Sequence, residues 1–129
     1  MTTVAAALIV RNGKIFIARR PAGKSLAHHW EFPGGKQEAG ETLPQTLHRE
    51  LNEELNINAE IGNFFMKSSY QYDFGIIDIS CYFASVSADT EITSNEHEAI
   101  AWAAPNELEN YTFAPADIPI VKALQKIKL

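Results

Sequence analysis

The apolar positions in the first part of the chain predict a β-hairpin. Residues 3–10 form a nearly continuous apolar run, which is typical of a buried strand. Asn12-Gly13 is a dipeptide that type I′ hairpin turns prefer, because both central residues of that turn take positive φ angles. A second strand is therefore expected over residues 14–20, followed at residues 21–29 by a loop rich in small and polar side chains.

Three more strands are predicted in the second half of the chain. The runs 59–72 and 76–86 are rich in strand-forming residues, and Asp73-Phe74-Gly75 between them predicts a hairpin turn. A shorter strand is expected over residues 100–104, where Pro105 ends it. These strands would extend the sheet that the first hairpin begins.

A helical repeat occupies the middle of the chain. Its apolar stripe consists of leucines that recur every four residues: Leu43, Leu47, Leu51 and Leu55. Thr42 can cap the first turn, which tolerates Pro44. Asn56 follows the last leucine and is the second choice after glycine for a left-handed C-cap. The segment therefore predicts a capped helix with one buried face.

A second helix is predicted at the end of the chain. Within residues 116–128, apolar side chains recur at helical spacing at Ile120, Val121, Leu124 and Ile127. Strands on both sides of one central helix, together with this terminal helix, predict a mixed β-sheet between helices, an α/β/α sandwich. At 129 residues the chain is expected to form a single domain over residues 1–129.

Composition places the chain among soluble globular proteins. Hydrophobic residues make up 46% and charged residues 21% of the sequence, and no apolar run approaches the roughly 20 residues of a membrane span. The first residues lack the basic start of a secretory signal. The single Cys81 excludes an internal disulfide, so we expect a cytoplasmic protein in which Cys81 is a core residue without a catalytic role.

The charge balance bears on the class of partner. The formal net charge is -5 at pH 7, whereas a surface that binds the backbone of a nucleic-acid duplex needs clustered Lys and Arg. We therefore expect no nucleic-acid duplex and no membrane among the partners, and a monomer or a homodimer.

Three carboxylates stand on one face of the central helix. Glu50, Glu53 and Glu54 lie at i, i+3 and i+4, where like charges repel one another. Mg²⁺ prefers oxygen ligands and would relieve this repulsion, although a solvated acidic face is the alternative. Gly34-Gly35 upstream permits a tight backbone path and the close approach of a carbonyl to a ligand.

The stretch from Gly35 to Ile57 resembles the Nudix box. The positions that carry the resemblance are Gly35, Glu41, Arg49-Glu50-Leu51, Glu53-Glu54 and Asn56-Ile57. The family usually has glycine where this chain has Asn56. Asparagine also tolerates the left-handed conformation, so this departure concerns the helix cap more than the chemistry. Residues 16–20 and 30–36 and the length of the chain resemble the MutT-type members of the family.

The resemblance implies a Nudix fold and an activity. MutT-type members hydrolyse nucleoside triphosphates to a nucleoside monophosphate and pyrophosphate with Mg²⁺, for which Mn²⁺ can substitute. The resemblance further implies that the metal ligands are Glu50, Glu53, Glu54 and a backbone carbonyl of Gly34 or Gly35. It also implies that Glu41 and Arg49 brace the loop against the helix.

The general base remains open among three glutamates. Glu96 stands where MutT-type members carry a late catalytic or metal-binding glutamate, Glu98 is close to it in sequence, and Glu53 serves as the base in other Nudix members. The four histidines lack the spacing of metal ligands and are predicted to be non-catalytic surface or loop residues: His28, His29, His48 and His97.

Four residues are predicted to bind the substrate. The resemblance implies that Arg20 contacts phosphate, and Lys36 after the glycine pair could approach it too. We expect Phe32 to contact the substrate and to pack at the base of the loop. Asp117 stands where MutT-type members read the base. The aromatic residues of the second hairpin are predicted to serve as core or hairpin residues: Tyr70, Tyr72 and Phe74.

The preferred base depends on the protonation state of Asp117. An ionised Asp offers acceptors only, whereas a protonated Asp offers one donor and one acceptor. The leading hypothesis is sanitation of the nucleotide pool by hydrolysis of 8-oxo-dGTP, which protects DNA replication. The first alternative is CTP, dCTP or a 5-substituted cytosine nucleotide, since residues 96–102 and 113–119 resemble a relative that acts on CTP. The second alternative is a non-catalytic domain that senses a nucleotide.

Overall fold

The computed structural model describes residues 1–129 and consists of one mixed sheet with two α-helices. The strands are β1 (Thr2–Arg11), β2 (Lys14–Arg19), β3 (Trp30–Glu31), β4 (Gly34–Lys36), β5 (Glu60–Tyr72), β6 (Gly75–Ser85) and β7 (Ala99–Ala103). The helices are α1 (Leu43–Leu55) and α2 (Ile118–Leu124), with 3₁₀ helices at Pro105–Asn110 and Pro115–Asp117. No helix combines the length and the apolar character that a membrane crossing requires.

The sheet is built around β1. The strand order is β3-β2-β1-β6-β5, with β4 also paired to β1 and β7 also paired to β2. β1 runs parallel to β6, and every other pairing is antiparallel. The predicted mixed sheet is therefore confirmed.

The side chains of β1 alternate between two hydrophobic layers. Ala5, Ala7 and Ile9 belong to the layer that contains the buried leucines of α1: Leu47, Leu51 and Leu55. Ala6 and Leu8 belong to the layer that contains the buried residues of α2: Ile120, Val121 and Leu124. Successive side chains of a strand point to opposite faces, so a helix covers each face of the sheet. This arrangement is the predicted α/β/α sandwich.

Helix α1 begins and ends at the predicted caps. The hydroxyl of Thr42 accepts a hydrogen bond from the Gln45 amide at 3.3 Å, and the Gln45 side chain accepts one from the Thr42 amide at 2.8 Å. This reciprocal pair is a capping box. Asn56 takes a left-handed conformation, with φ 54° and ψ 41°. Asparagine therefore fills the C-cap position where the Nudix box usually has glycine.

Both predicted hairpin turns are present. Asn12 and Gly13 have φ angles of 53° and 75°, as a type I′ turn requires. In the second hairpin Tyr72 pairs with Gly75, so Asp73-Phe74 forms a two-residue loop.

The terminal helix is shorter than predicted. Only Ile118–Leu124 of the predicted 116–128 is α-helical, and a 3₁₀ turn precedes it. Ile127 is 37% exposed, because the chain beyond Leu124 leaves the layer that buries α2. The short strands β3 and β4 and the 3₁₀ helix at Pro105–Asn110 were not predicted, since segments of two to six residues carry no readable hydrophobic period.

The left-handed conformation of Asn56 predicts that its replacement by alanine and by glycine will change the free energy of unfolding differently. We expect Asn56→Ala to lower the free energy of unfolding by about 1 kcal/mol, because a Cβ disfavours this conformation in residues other than Asn, Asp and Gly. Asn56→Gly should be neutral or slightly stabilising. Urea unfolding of both variants measures the difference. Equal stability of the alanine and glycine variants would contradict a left-handed conformation at residue 56.

Candidate active site

A cavity of about 540 Å³ opens where β4, the loop after β2, the second hairpin and the 3₁₀ turn before α2 meet. Seven of the predicted site residues line it: Arg20, Phe32, Gly34, Gly35, Lys36, Glu54 and Asp117. Glu31 also lines it, as do Tyr72 and Phe74 of the second hairpin. The lining therefore combines carboxyl groups, the glycine strand and aromatic side chains.

The two glycines of β4 lie at positions that have no room for a side chain. Gly34 pairs with Ala6 and Gly35 with Ala5 of β1. A Cβ at Gly34 would overlap the Ala5 carbonyl oxygen, and a Cβ at Gly35 would overlap the Glu50 carboxyl group. The Glu50 carboxylate thus lies directly against the backbone of the glycine strand, which only glycine permits.

Arg49 ties the loop after β4 to helix α1. Its Nε and Nη2 donate to the two carboxylate oxygens of Glu41 at 2.7 and 3.0 Å. Its Nη2 also donates to the Lys36 carbonyl at 3.1 Å, and its Nη1 donates to Glu50 at 2.7 Å. The Arg49 hydrogen bonds are the main reason why the pKa of Glu41 is lowered to about 2. Glu41 and Arg49 therefore form a charged clamp between loop and helix.

Glu54 is the most perturbed carboxylate of the predicted metal-binding set. Burial first, and then repulsion from Glu50, Glu31 and Glu96, raise the pKa of Glu54 to about 8. A hydrogen bond to the Gly34 backbone acts in the opposite direction. The buried Glu54 Oε2 has no hydrogen-bond partner. An unpartnered carboxylate oxygen among other carboxylates fits a hard cation, which prefers oxygen ligands.

The other two glutamates of the helix are held by Arg49. Glu50 accepts from Arg49 Nη1 at 2.7 Å, and Glu53, whose side chain is 59% exposed, lies 3.4 Å from the same nitrogen. The structure contains no group of three or more His, Cys, Asp or Glu side chains arranged to hold a metal ion. The three glutamates thus share one face of α1, while their carboxylates have different partners.

The two late glutamates differ in their partners. Glu98 pairs with His28 Nδ1 at 2.7 Å and with Arg19 Nε at 2.5 Å. The His28 hydrogen bond is the main cause that lowers the pKa of Glu98. Glu96 is exposed, and its charge is among those that raise the pKa of Glu54. Of the two, Glu96 therefore belongs electrostatically to the carboxylate cluster.

Asp117 lies at the other end of the cavity. It is buried, and burial raises its pKa well above the ordinary value of 3.8. Repulsion from Glu31 acts in the same direction, whereas Arg20 opposes it. Burial therefore favours the protonated form of Asp117, which offers one donor and one acceptor.

Aromatic rings frame this end of the cavity. Phe32 is buried and stacks on Phe113 at 5.2 Å between ring centroids. Phe74 stacks on Tyr72 at 5.0 Å and is 60% exposed. Tyr72 and Phe74 are hairpin residues, as predicted, and they also line the cavity, which was not predicted.

The two cationic residues differ in their partners and in their exposure. Arg20 donates from Nη1 to Glu31 at 3.1 Å and from Nε to the Ser25 carbonyl at 2.7 Å. Lys36 lies on the exposed rim of the cavity at the end of β4. Arg20 is thus held in place by the wall of the cavity, whereas Lys36 is at its entrance.

Besides Tyr72 and Phe74, two further residues at the cavity wall had no predicted role in the site: Glu31, which lines it, and His97, which contacts Glu31. Glu31 lies within the segment 30–36, and that resemblance was the available signal. His97 was predicted to be a surface or loop residue. It does lie in a loop, as predicted, and its side chain is only 3% exposed and contacts Glu31. Cys81 is buried in the core, and burial raises its pKa, as expected for a residue without a catalytic role.

Known proteins resemble this chain over almost its full length. The NUDIX domain family matches residues 1–124. The chain is 39% identical over 128 residues to the CTP pyrophosphohydrolase of Escherichia coli K12, covering 99% of this chain and 94% of that protein. It is 35% identical over 117 residues to the 8-oxo-dGTP diphosphatase of the same strain, covering 90% and 89% respectively.

A solved structure has the same fold. The solution structure of the E. coli ORF135 protein matches with a TM-score of 0.83 and 39% identity, covering 98% of this chain and 89% of that chain. The predicted Nudix fold and resemblance are thereby confirmed. With the box residues on α1 and β4, and with these relatives, the chain belongs to the Nudix family of hydrolases.

Proposed function

We propose that this chain, as a single domain, hydrolyses a nucleoside triphosphate to a nucleoside monophosphate and pyrophosphate with Mg²⁺, and that its preferred base is cytosine or a modified cytosine. The observation that carries the proposal is one cavity with two chemically different ends. Glu54 is crowded by other carboxylates at one end, and the buried Asp117, whose protonated form burial favours, lies near aromatic rings at the other. A triphosphate and a base require this combination.

The chain has the ligands for a hard cation. Glu50, Glu53, Glu54 and a carbonyl of Gly34 or Gly35 would hold Mg²⁺, or Mn²⁺ in its place. A bound divalent ion supplies the positive charge that neutralises the polyphosphate. The unpartnered Glu54 Oε2 supports this assignment.

The remaining steps belong to side chains of the chain itself. Water attacks a phosphorus atom, one phosphoanhydride bond breaks, and a carboxylate must accept the proton of the water. Glu53 and Glu96 are the proposed acceptors. Glu98 is less suited, since His28 and Arg19 already engage it. Arg20 and Lys36 are proposed to contact the phosphates.

The protonated form of Asp117, which burial favours, supports a cytosine-type base. Cytosine presents an amino donor beside the N3 acceptor, and a protonated carboxyl group offers the matching acceptor and donor. The relative named CTP pyrophosphohydrolase, with 39% identity, supports the same base.

A second candidate substrate is 8-oxo-dGTP. Oxidation at C8 turns guanine N7 into an N–H donor beside the O6 acceptor, which a neutral Asp117 could also match. Relatives named 8-oxo-dGTP diphosphatase, with 33% and 35% identity, favour this candidate. Its hydrolysis would remove an oxidised nucleotide before DNA replication.

The activity is tested with purified protein, Mg²⁺ and a panel of CTP, dCTP and 8-oxo-dGTP. We expect a nucleoside monophosphate and pyrophosphate as products, with the highest kcat/KM for a cytosine nucleotide. Glu53→Gln should lower kcat by about 100-fold or more, since it removes a metal ligand or a base. The control Glu60→Gln changes an exposed carboxylate outside the cavity.

Two results would contradict parts of this proposal. Equal hydrolysis by wild type and Glu53→Gln, or none by either, would overturn the enzymatic assignment and leave only nucleotide sensing. A higher kcat/KM for 8-oxo-dGTP would replace the cytosine base by the second candidate.

The raised pKa of Glu54 predicts proton release when a cation binds. With a pKa of about 8, Glu54 is mostly protonated at pH 7, so Mg²⁺ should displace about one proton. Calorimetric titrations in two buffers of different ionisation enthalpy measure this release. It should vanish in Glu54→Gln and persist in Glu38→Gln, whose side chain is 64% exposed. Binding of Mg²⁺ by the wild type without proton release would argue against Glu54 as a ligand.

The protonated state of Asp117 predicts a pH-dependent difference from Asp117→Asn. A carboxyl group whose pKa is raised by folding stabilises the protein below its unfolded pKa, and this contribution is lost as pH rises through the folded pKa. The Tm of Asp117→Asn relative to wild type should therefore increase as pH rises above the unfolded pKa of Asp, about 4. The asparagine variant should keep kcat/KM within a few-fold at pH 7, because the amide also offers a donor and an acceptor. A Tm difference that shrinks with pH would show that Asp117 is stabilised as a carboxylate.

A further inference from the structure

A buried histidine stands behind the wall of the cavity. The side chain of His97 is 3% exposed, and its Nε2 lies 3.0 Å from Glu31 Oε2. Its Nδ1 lies 2.7 Å from the Ser94 hydroxyl. Both ring nitrogens therefore have polar partners. His97 itself does not line the cavity, so it can influence a bound molecule only through Glu31.

The hydrogen bonds favour one tautomer of the His97 ring. Ser94 Oγ accepts from the Glu96 amide at 3.2 Å, which leaves its own proton free for donation. If the hydroxyl donates to Nδ1, the proton of a neutral ring is on Nε2, where it donates to Glu31.

Glu31 is held by two donors, one at each carboxylate oxygen. Arg20 Nη1 donates to Oε1 at 3.1 Å, and His97 donates to Oε2. Pairing with Ala18 fixes the Glu31 backbone in β3. The carboxylate lines the cavity with a side chain that is 22% exposed, so lone pairs remain available to a bound molecule.

Glu31 acts electrostatically on groups at both ends of the cavity. Its charge raises the pKa of Glu54 at the carboxylate end and the pKa of Asp117 at the aromatic end. A carboxylate that could rotate would change both ends, since Coulomb interactions in a partly buried cavity depend strongly on distance. The donor that fixes its orientation therefore affects how the nucleotide is bound.

We propose that His97 is a positioning residue for substrate selection, which holds the Glu31 carboxylate as a fixed acceptor on the cavity wall for N–H or O–H donors of the nucleotide. This inference rests on the proposed function. Ser94 acts on Glu31 indirectly, because its hydroxyl sets the tautomer in which His97 donates from Nε2.

The test compares variants of the network in the complete chain. His97→Ala removes the donor, His97→Gln offers an amide N–H in its place, and Ser94→Ala removes the hydroxyl that orients the ring. His48→Ala is the matched control, because His48 is exposed on α1 and contacts only Asn58, at 2.8 Å. For each protein, kcat and KM are measured with CTP and 8-oxo-dGTP, together with Tm.

We expect His97→Ala to raise KM for the preferred substrate by about 10-fold, the order of one lost hydrogen bond to a charged group. The ratio of kcat/KM between the two substrates should change, because only a selecting contact distinguishes them. His97→Gln should restore most of the KM, Ser94→Ala should lie between, and His48→Ala should match wild type. An unchanged ratio of kcat/KM between the two substrates in His97→Ala overturns the proposal. This includes the case in which both substrates lose the same factor and His97→Gln does not restore it.

A measurement without substrate separates this inference from the proposed activity. NMR of the ring nitrogens should show the Nε2–H tautomer of His97 in the free protein, and Ser94→Ala should alter it. The Glu31 side-chain carboxyl signal should shift in His97→Ala and remain in place in His48→Ala. A ring protonated on Nδ1 alone would overturn the positioning role, even if the wild type hydrolyses nucleotides as proposed. Absence of hydrolysis with the expected tautomer would overturn the proposed function alone.

Discussion

The contact between the glycine strand β4, strand β1 and helix α1 is the constraint on which the site depends. Gly34 leaves no space for a Cβ beside the Ala5 carbonyl, and Gly35 leaves none beside the Glu50 carboxylate. A helix can therefore present its carboxylates directly to a backbone strand. The buried leucine stripe of α1 and the Arg49–Glu41 clamp hold the helix at this distance. Both the hydrophobic packing of α1 and the Arg49–Glu41 ion pair therefore stabilise this contact.

The cavity beside this contact contains two carboxyl groups with raised pKa values. Desolvation and neighbouring carboxylates raise the pKa of Glu54 to about 8, and burial also raises the pKa of Asp117. The two groups have different consequences because their surroundings differ. Glu54 lies among carboxylates and is suited to a cation, whereas Asp117 lies among apolar groups and is suited to a base edge with one donor and one acceptor. Perturbed groups at both ends of one cavity are typical of an active site.

Local interactions explain most of what could be predicted from the sequence. The Thr42 cap, the Asn56 C-cap and the Asn12-Gly13 turn each depend on residues within a few positions, so their signals are readable in the sequence. The terminal helix was predicted too long, because Ile127 has the right spacing but lies beyond the layer that buries α2. Strands β3 and β4 are stabilised by pairing with distant strands and were not predicted for that reason.

By itself, the sequence determined the family, the α/β/α sandwich and the set of carboxylates on α1, since helical spacing places Glu50, Glu53 and Glu54 on one face whatever surrounds them. Only the tertiary structure decided their different states. Glu54 is partly buried while Glu53 is exposed, and the pKa of Asp117 is raised because the fold removes water from it. The His97–Glu31 contact joins residues 66 positions apart. Desolvation and such contacts depend on neighbours that are distant in the chain, and no local pattern encodes them.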